Sequence, residues 1–467
     1  MEQFALAALR RVPLAEAAVQ LWRWVGDADT LEDLFQRHRG AGYSDKLTFA
    51  VLTHLVADAL LEHRGSARKS FTKGQERGEL PVSIVAAYGK LRRVPQGLSE
   101  AFLAEGSARL QAIFPTQQGA KLPPSLQEFA VVALDGKAIK RVPKRLKPLR
   151  KAAGGVLGGK ALVALELRSG LALAMATSLD GDTNEASLVP DLLPQVRGQR
   201  TGILWLGDRQ FCDLTQPRAF TERAGDHFVV RYHPRSKYCA DASRPAQTGK
   251  DEHGRTYVED WGWLGAANNK DRRYVRRVTL RRAGQEDIIL ITDLLDAEQY
   301  PATDLLALYS MRWGIERVFQ QITEVFHLQR LIGTTPQGTL FQLAFCLLLY
   351  NMIQVIRAYV AEGAVRELAS ISTELLFDDV QRQLIALHEM VEATQIVALI
   401  PSGLSANELA QQLRKLLHGI WTPRWLKAPP KSKQPPPKAS TQRTHNSAYR
   451  LLQHDRLART AEQRRRK

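Results

Sequence analysis

Two uninterrupted apolar runs in this chain each lead into an aspartate. The first, Phe129 to Leu134, ends on Asp135; the second, Ile203 to Leu206, ends on Gly207 and Asp208. Apolar runs of this length, without polar alternation, predict strands buried on both faces. An acid at the carboxyl end of such a strand stands on a sheet rim, where α/β proteins build their sites. A third segment, Leu305 to Phe326, has the helical period instead. At about 100° per residue, Leu308, Met311, Ile315, Val318, Ile322 and Phe326 share one arc, beside a narrower arc of Tyr309, Arg312, Glu316 and Thr323. The pattern predicts one amphipathic helix over 305–326 that packs on the sheet and carries Glu316 toward the strand ends.

The remaining pattern is that of an α/β protein with helical flanks. Residues 1 to about 120 show helical periodicity and few strand signals, with helices expected over Phe49–Leu60, Val82–Leu91 and Ser99–Phe114. After Asp135 a hairpin over Leu162–Thr177, a helix around Asn184–Val196 and the Asp208 strand give the order β-β-β-α-β. Between Asp208 and Glu316 lie 107 residues, too many for a simple connection. They contain the strand-like runs His227–Tyr232, Arg255–Val258, Arg273–Leu280 and Asp287–Thr292, which predict a mostly β insertion domain. Helices return over Thr339–Glu362 and Ser372–Glu392, followed by a Pro-rich linker, Pro429–Pro437. The tail has a basic helical stretch around Tyr449–Arg459, with a solvated, unstructured tail as the competing reading.

Composition narrows the function classes. The chain has 467 residues, 44% of them hydrophobic, which suffices for two to four units with real cores. Cys212, Cys239 and Cys346 are scattered without CxxC pairing, which excludes a disulfide framework and a cysteine zinc site. The amino terminus, Met1-Glu-Gln-Phe, has neither the basic nor the apolar region of a signal peptide. The most apolar stretch, Leu340–Ile356, carries Gln342, Asn351 and Gln354 and falls short of the roughly 20 residues a membrane helix needs. It reads as a buried helix, and the protein as cytoplasmic with no membrane partner. Net charge is +17, and it is clustered: residues Arg424–Lys467 hold 13 Lys or Arg against 2 acids. A second cluster, Lys137–Lys151, puts Lys137, Lys140, Arg141, Lys144, Arg145, Lys147, Arg150 and Lys151 directly after Asp135. Such density favours a polyanion, with phosphates beside the first acid, over a merely solvated turn.

Asp135, Asp208 and Glu316, gathered from two strand ends and a helix, could hold two divalent cations. Two cations about 3.5–4 Å apart clamp both the attacking and the leaving oxygen of a phosphodiester displacement. Asp180, Asp182 and Glu185 are competing carboxylates. Their place before a helix is explained by capping and the helix dipole, leaving Glu185 a supporting role at most. Trp261 and Trp263 could stack an extruded base, against the plainer expectation that they pack inside a small β unit.

Tyr309, Arg312 and Glu316 match the Y-x2-R-x3-E part of the signature of bacterial DDE transposases of the insertion sequence 4 family, and the text of residues 305–316 closely resembles it. Leu134-Asp-Gly136 resembles the family's first acidic motif, Gly207-Asp-Arg-Gln-Phe211 its second, and Ile289–Leu295 the strand leading to the signature helix. The resemblance covers roughly residues 45–360. It implies an RNase H-like core, a mixed five-stranded sheet with flanking helices, in which Asp135, Asp208 and Glu316 bind two Mg²⁺ ions, with Mn²⁺ able to substitute. Tyr309 and Arg312 would position flanking phosphates. It further implies double-stranded DNA as partner, a homodimer in a synaptic complex, no small-molecule cofactor, and cleavage at terminal inverted repeats followed by strand transfer. The expected layout is a helical end-binding region at 1–120, core at 121–232 and 298–365, β-rich insertion at 233–297, a helical region at 366–425 and a Pro-rich basic tail at 426–467. Two positions depart from the signature: Thr323 stands where Lys or Arg is usual, and Lys137 where a hydroxyl is common. A catalytically weakened, transposon-derived DNA-binding protein is the alternative, and a plain nuclease of the same fold a second.

Overall fold

A computed structural model describes residues 2–427 and 445–466, except 43, 44, 141, 143, 329, 331 and 332. The amino-terminal part is helical: α1 (Glu2–Leu9), α2 (Pro13–Gly26), α3 (Ala28–His38), α4 (Phe49–Leu61), α5 (Ala67–Glu76), α6 (Ile84–Leu91) and α7 (Gln96–Ala112). Several start on a side chain that accepts a free backbone N–H, among them Asp27 for α3, Thr48 for α4 and Ser83 for α6.

The central part alternates between strands and helices. In order come β1 (Ala130–Ala138), α8 (Lys147–Arg150), β2 (Gly155–Leu157), β3 (Lys160–Glu166), β4 (Ala172–Ser178), α9 (Val189–Arg197), β5 (Ile203–Gly207), α10 (Thr215–Phe220) and β6 (His227–Arg231). Then follow β7 (Tyr238–Ala240), β8 (Gln247–Lys250), β9 (Thr256–Leu264), β10 (Arg273–Leu280) and β11 (Ile288–Thr292). One mixed sheet runs β4-β3-β1-β5-β6-β11-β10-β9-β7, with β8 also on β9. Strands β3, β1 and β4 pair antiparallel, whereas β1, β5 and β6 run parallel. The sheet therefore has ten strands rather than the expected five. The strands of the 233–297 interval join it because β11 pairs with the outer edge of β6, Ile291 opposite Val230, and satisfies backbone groups that edge would otherwise leave free.

Alternation along the strands divides the core. Val131 and Ala133 of β1, with Leu204 and Leu206 of β5, face one apolar layer; Val132, Leu134, Ile203 and Trp205 face another that includes Leu192, Leu193 and Val196 of α9. The first layer is covered by α11 (Ala302–Met311), α12 (Trp313–Glu324) and α13 (Pro336–Gly363). The helix expected over 305–326 is thus two helices meeting at Arg312. Around it the hydrogen bonds tighten to three-residue spacing, Arg312 N–H to the Tyr309 carbonyl and Ile315 N–H to that of Arg312, next to the poor helix former Gly314.

The apolar stretch Leu340–Ile356 belongs to the 28-residue α13, long and apolar enough to cross a membrane, but its apolar window lies wholly buried among α2, α7, α12 and later helices. Its polar residues have work within the fold. Asn351 accepts from the Ala172 N–H (2.9 Å) and donates to the Ala172 carbonyl (2.8 Å), closing part of the free edge of β4. Glu100 and Gln96 of α7 do the same at Thr177.

The carboxyl-terminal part contains α14 (Thr373–Met390), α15 (Ala393–Leu399), α16 (Ala406–Leu417), β12 (His445–Ser447) and α17 (Ala448–Arg466). The Pro-rich linker expected at Pro429–Pro437 lies outside the described residues. The helix beyond it is longer than expected and docks on the core. Strand β12 pairs in parallel with β2, and α17 packs on α8 with Ala448 fully buried.

A buried cation ties the added strands to the helix pair that follows them. Arg276 of β10 is fully buried; its Nε donates to Glu259 of β9 (2.8 Å), and its Nη1 donates to the Tyr300 carbonyl (2.6 Å) just before α11. Replacing Arg276 with Met strands the Glu259 charge in the interior. We expect a loss of about 3–5 kcal/mol in denaturant unfolding. The double change Arg276→Met with Glu259→Leu should recover most of it; an equal loss in both variants would refute the charge explanation.

Candidate active site

Strands β1 and β5 run parallel with Ala133 opposite Leu206. Two residues beyond that pair stand Asp135, still within β1, and Asp208, just past the end of β5, and the Asp208 charge acts on Asp135. Both fall on the sheet face that carries α12, since Ala133 and Leu206 face that layer. Gly207 permits the tight exit from β5: a Cβ there would lie 2.9 Å from the ring of Phe211, which is fully buried. The Asp208 carboxylate accepts from the Gln210 N–H at 2.8 Å and starts the short turn Arg209–Phe211.

Helix α12 lies across β1. Lys137, two residues past Asp135 and on the same face, donates to the Phe319 carbonyl (3.3 Å) and lies over its ring. Glu316 is one turn earlier, on the Asp135 side. Arg312 joins the acids: its Nη2 donates to Glu316 at 2.8 Å, and its charge acts on Asp135. Burial pushes the Asp135 carboxyl up to about 7; Arg312 opposes this, while the charges of Glu185 and then Asp208 add to it. Tyr309 and Arg312 are each only 5% exposed, with the guanidinium 5.6 Å from the tyrosine ring. The buried Nε of Arg312 has no hydrogen-bond partner among the described residues.

Glu185 differs from its expected role. The cap at that helix start is Asn184, whose side chain accepts from the Ala186 N–H at 3.2 Å. Glu185 instead turns back onto β1. A Cβ on Gly136 would lie 1.9 Å from its carboxyl carbon, and Lys160 Nζ stands 3.3 Å from its Oε1. The stretch of β1 around Asp135 therefore has Arg312, bonded to Glu316, on one face and Glu185 with Lys160 at the other, and the Asp208 charge acts on it as well. Asp180 and Asp182 are engaged elsewhere, by Arg450 of α17 at 2.7 and 3.3 Å. The seat of Glu185 against Gly136 is a contact that the sequence pattern did not indicate.

Of the basic segment, Lys140, Arg145, Lys147, Arg150 and Lys151 are exposed, and among the described residues no ion pair holds them. Lys144 turns inward to the Ala152 carbonyl, Lys137 is held by α12, and Arg141 lies outside the described residues. Base stacking by Trp261 is ruled out in this fold. The ring is fully buried under the Arg244 guanidinium (3.5 Å), and its Nε1 donates to the Leu295 carbonyl. Trp263 is half-buried, edge-on to Tyr274 and covered by Arg272 at 4.3 Å. Both rings pack within the added strands, where cation–π contact and sheet pairing hold them.

Residues 127–352, just under half of the chain, match the sequence profile of the transposase DDE domain. Asp135, Asp208 and Glu316 all fall inside that span. The chain is also 25% identical over 158 residues to a protein of Sinorhizobium fredii (strain NBRC 101917 / NGR234) named "Putative transposase y4zB". That similarity spans 33% of this chain and 43% of the length of the relative.

The docking of α17 on α8 makes the tail a brace for the segment after Asp135. Deleting residues 445–467 should speed limited proteolysis within 144–154 several-fold while leaving cleavage elsewhere unchanged. Unaltered protection of 144–154 would show that the brace contributes nothing there.

Proposed function

We propose that this chain is a DDE transposase of the insertion sequence 4 type, built on an RNase H-like core. What supports the reading is that Asp135, within β1, and Asp208, just past the neighbouring parallel β5, are close enough for their charges to interact, while Arg312 acts on Asp135 and bonds Glu316 of α12. The partial order β4-β3-β1-β5-β6, antiparallel then parallel, is consistent with an RNase H-like sheet.

The residues suit a divalent cation by donor chemistry. All three acids offer hard oxygen ligands, as Mg²⁺ prefers, and Asp135 is buried beside two further negative charges with Arg312 to offset them. Among the described residues no three such side chains are drawn together tightly enough to hold a cation as they stand. Arg312 occupies the place between Asp135 and Glu316, so it must yield Glu316 for the site to load. Asp135, Asp208 and Glu316 would hold two Mg²⁺, with Mn²⁺ able to substitute, which supply Lewis-acid polarisation of the phosphodiester and a more acidic water. Once released, the Arg312 guanidinium is free to pair with a phosphate oxygen. The exposed cations of 140–151 hold the DNA backbone next to Asp135 without reading sequence. Cleavage at a transposon end leaves a 3′-hydroxyl that attacks a phosphodiester of target DNA in the bacterial cytosol, within a synaptic homodimer.

One observation favours the weakened alternative. Thr323, at the usual Lys or Arg position, donates its hydroxyl to the Phe319 carbonyl (2.6 Å) of its own helix and brings no charge to the DNA. Cleavage assays separate the two readings. Asp135→Asn, Asp208→Asn and Glu316→Gln should each slow end cleavage and strand transfer by about three orders of magnitude or more, with end binding near normal. Robust cleavage by Glu316→Gln in Mg²⁺ would overturn the reading; binding without any cleavage by the unaltered chain would establish the weakened protein.

A further inference from the structure

Two arginines near Asp208 converge on a single carboxylate. Arg209 follows Asp208 directly and opens the short turn after β5. Arg231 ends β6, one residue beyond Val230, which pairs with Gly207 just before Asp208. Val229 lies in the layer under α11 to α13, so Arg231, two residues later, is on the sheet face shared with Asp135. Burial pushes the Tyr309 hydroxyl up, and the charges of Arg312, Arg231 and Asp208 also act on it. The Arg209 guanidinium donates to both carboxylate oxygens of Glu286, at 3.2 and 2.9 Å, and that of Arg231 donates to one of them at 2.9 Å.

Glu286 stands in the turn between β10 and β11, and that turn is built without its side chain. Asp287 accepts from the Arg282 N–H at 3.1 Å and from Arg281 Nη1 at 2.7 Å, while Arg282 Nε donates to the Glu286 carbonyl at 2.8 Å. Strand β11 is further fixed by its pairing with β6 and β10. The Glu286 side chain is 64% exposed, and ion pairs this exposed contribute little to stability. Arg231 is 21% exposed and belongs to a strand paired on both sides. Two cations that face one weakly held carboxylate make a seat for an anion, because a guanidinium pairs with phosphate oxygens as it does with carboxylate oxygens.

We propose that Arg209 and Arg231 form a seat for a DNA backbone phosphate beside Asp208, and that Glu286 fills this seat until a phosphate displaces it. The proposal rests on the transposase reading, which brings a phosphodiester to this rim. Arg209 and Arg231 are then positioning residues that set the strand against Asp208. Glu286 is a stand-in anion that keeps the seat shut in the absence of DNA. A DNA strand displaces it because the strand brings a row of phosphates and releases their counterions, whereas Glu286 offers one solvated charge.

Fluorescence anisotropy of a short labelled duplex of arbitrary sequence, titrated with the full-length protein in EDTA, tests the seat without catalysis. Glu286→Gln should bind the duplex about 3–10-fold tighter at low salt, with a salt dependence steeper by about one counterion. Asp287→Asn removes the neighbouring charge, which pairs with Arg281, and should bind as the unaltered chain does. Arg209→Ala with Arg231→Ala should bind more weakly, and adding Glu286→Gln to that pair should change nothing. Equal gains in Glu286→Gln and Asp287→Asn, or a gain that survives the loss of both arginines, would reduce the effect to general charge and overturn the proposal. A lowered melting temperature in Glu286→Gln without any gain in DNA affinity would also overturn it, assigning the residue a purely structural role. The Glu286 effect in a chain that never cuts DNA would overturn the transposase reading and leave the seat standing. Cleavage by the unaltered chain without the Glu286 effect would overturn the seat alone.

Discussion

The placement of Asp135 and Asp208 at one end of the β1–β5 pairing is the constraint from which the rest of the site follows. Strands β1 and β5 run parallel and their pairing ends at Ala133 and Leu206, which brings Asp135, on the continuing β1, and Asp208, just past β5, to the same end of that pairing. Burial pushes Asp135 up to about 7, and repulsion from Glu185 and then Asp208 adds to it. The surrounding elements manage that repulsion. Helix α12 brings Arg312 beside Asp135, and Lys160 faces Glu185. An ensemble of this kind is held together by opposing charges.

Placement of α12 depends in turn on the added strands. Without β7 to β11, the outer edge of β6 would expose free backbone groups, and the chain entering α11 would lose one of its anchors, keeping that of Ser125 on Asp304. Arg276 supplies that anchor from a fully buried position, bonding both Glu259 and the Tyr300 carbonyl ahead of the helix pair. The long interval between the second acid and the glutamate therefore has a mechanical use: it extends the sheet and fixes the angle at which Glu316 arrives.

The carboxyl-terminal helix has an effect on the same rim from a different direction. Strand β12 adds to β2, and α17 rests on α8, in the basic segment directly after Asp135. Arg450 binds Asp180 and Asp182, so two acids near Glu185 are paired by the tail. Basic residues nearly 300 positions apart along the chain are thereby brought near one another where α17 meets α8.

Much of this was legible along the chain. Continuous apolar runs ending in Asp135 and Asp208 can be buried on both faces only as strands, and the period of 305–326 requires a helix whose polar line includes Arg312 and Glu316. Local periodicity records which side of an element is buried, and it did so correctly for β1, β5 and α13. It does not record what lies across the interface. Glu185 at a helix start looks the same whether it caps that helix or reaches back to a strand, and only the packing of that turn against Gly136 decided the matter. For Trp261 the plainer expectation, packing within the β unit, is what the sheet and Arg244 provide, though the sequence did not identify Arg244 as its cover. The break at Arg312, the ten-strand sheet and the docked tail likewise depend on contacts between segments far apart in sequence, where pairing of backbone edges and compensation of buried charge outweigh local preference.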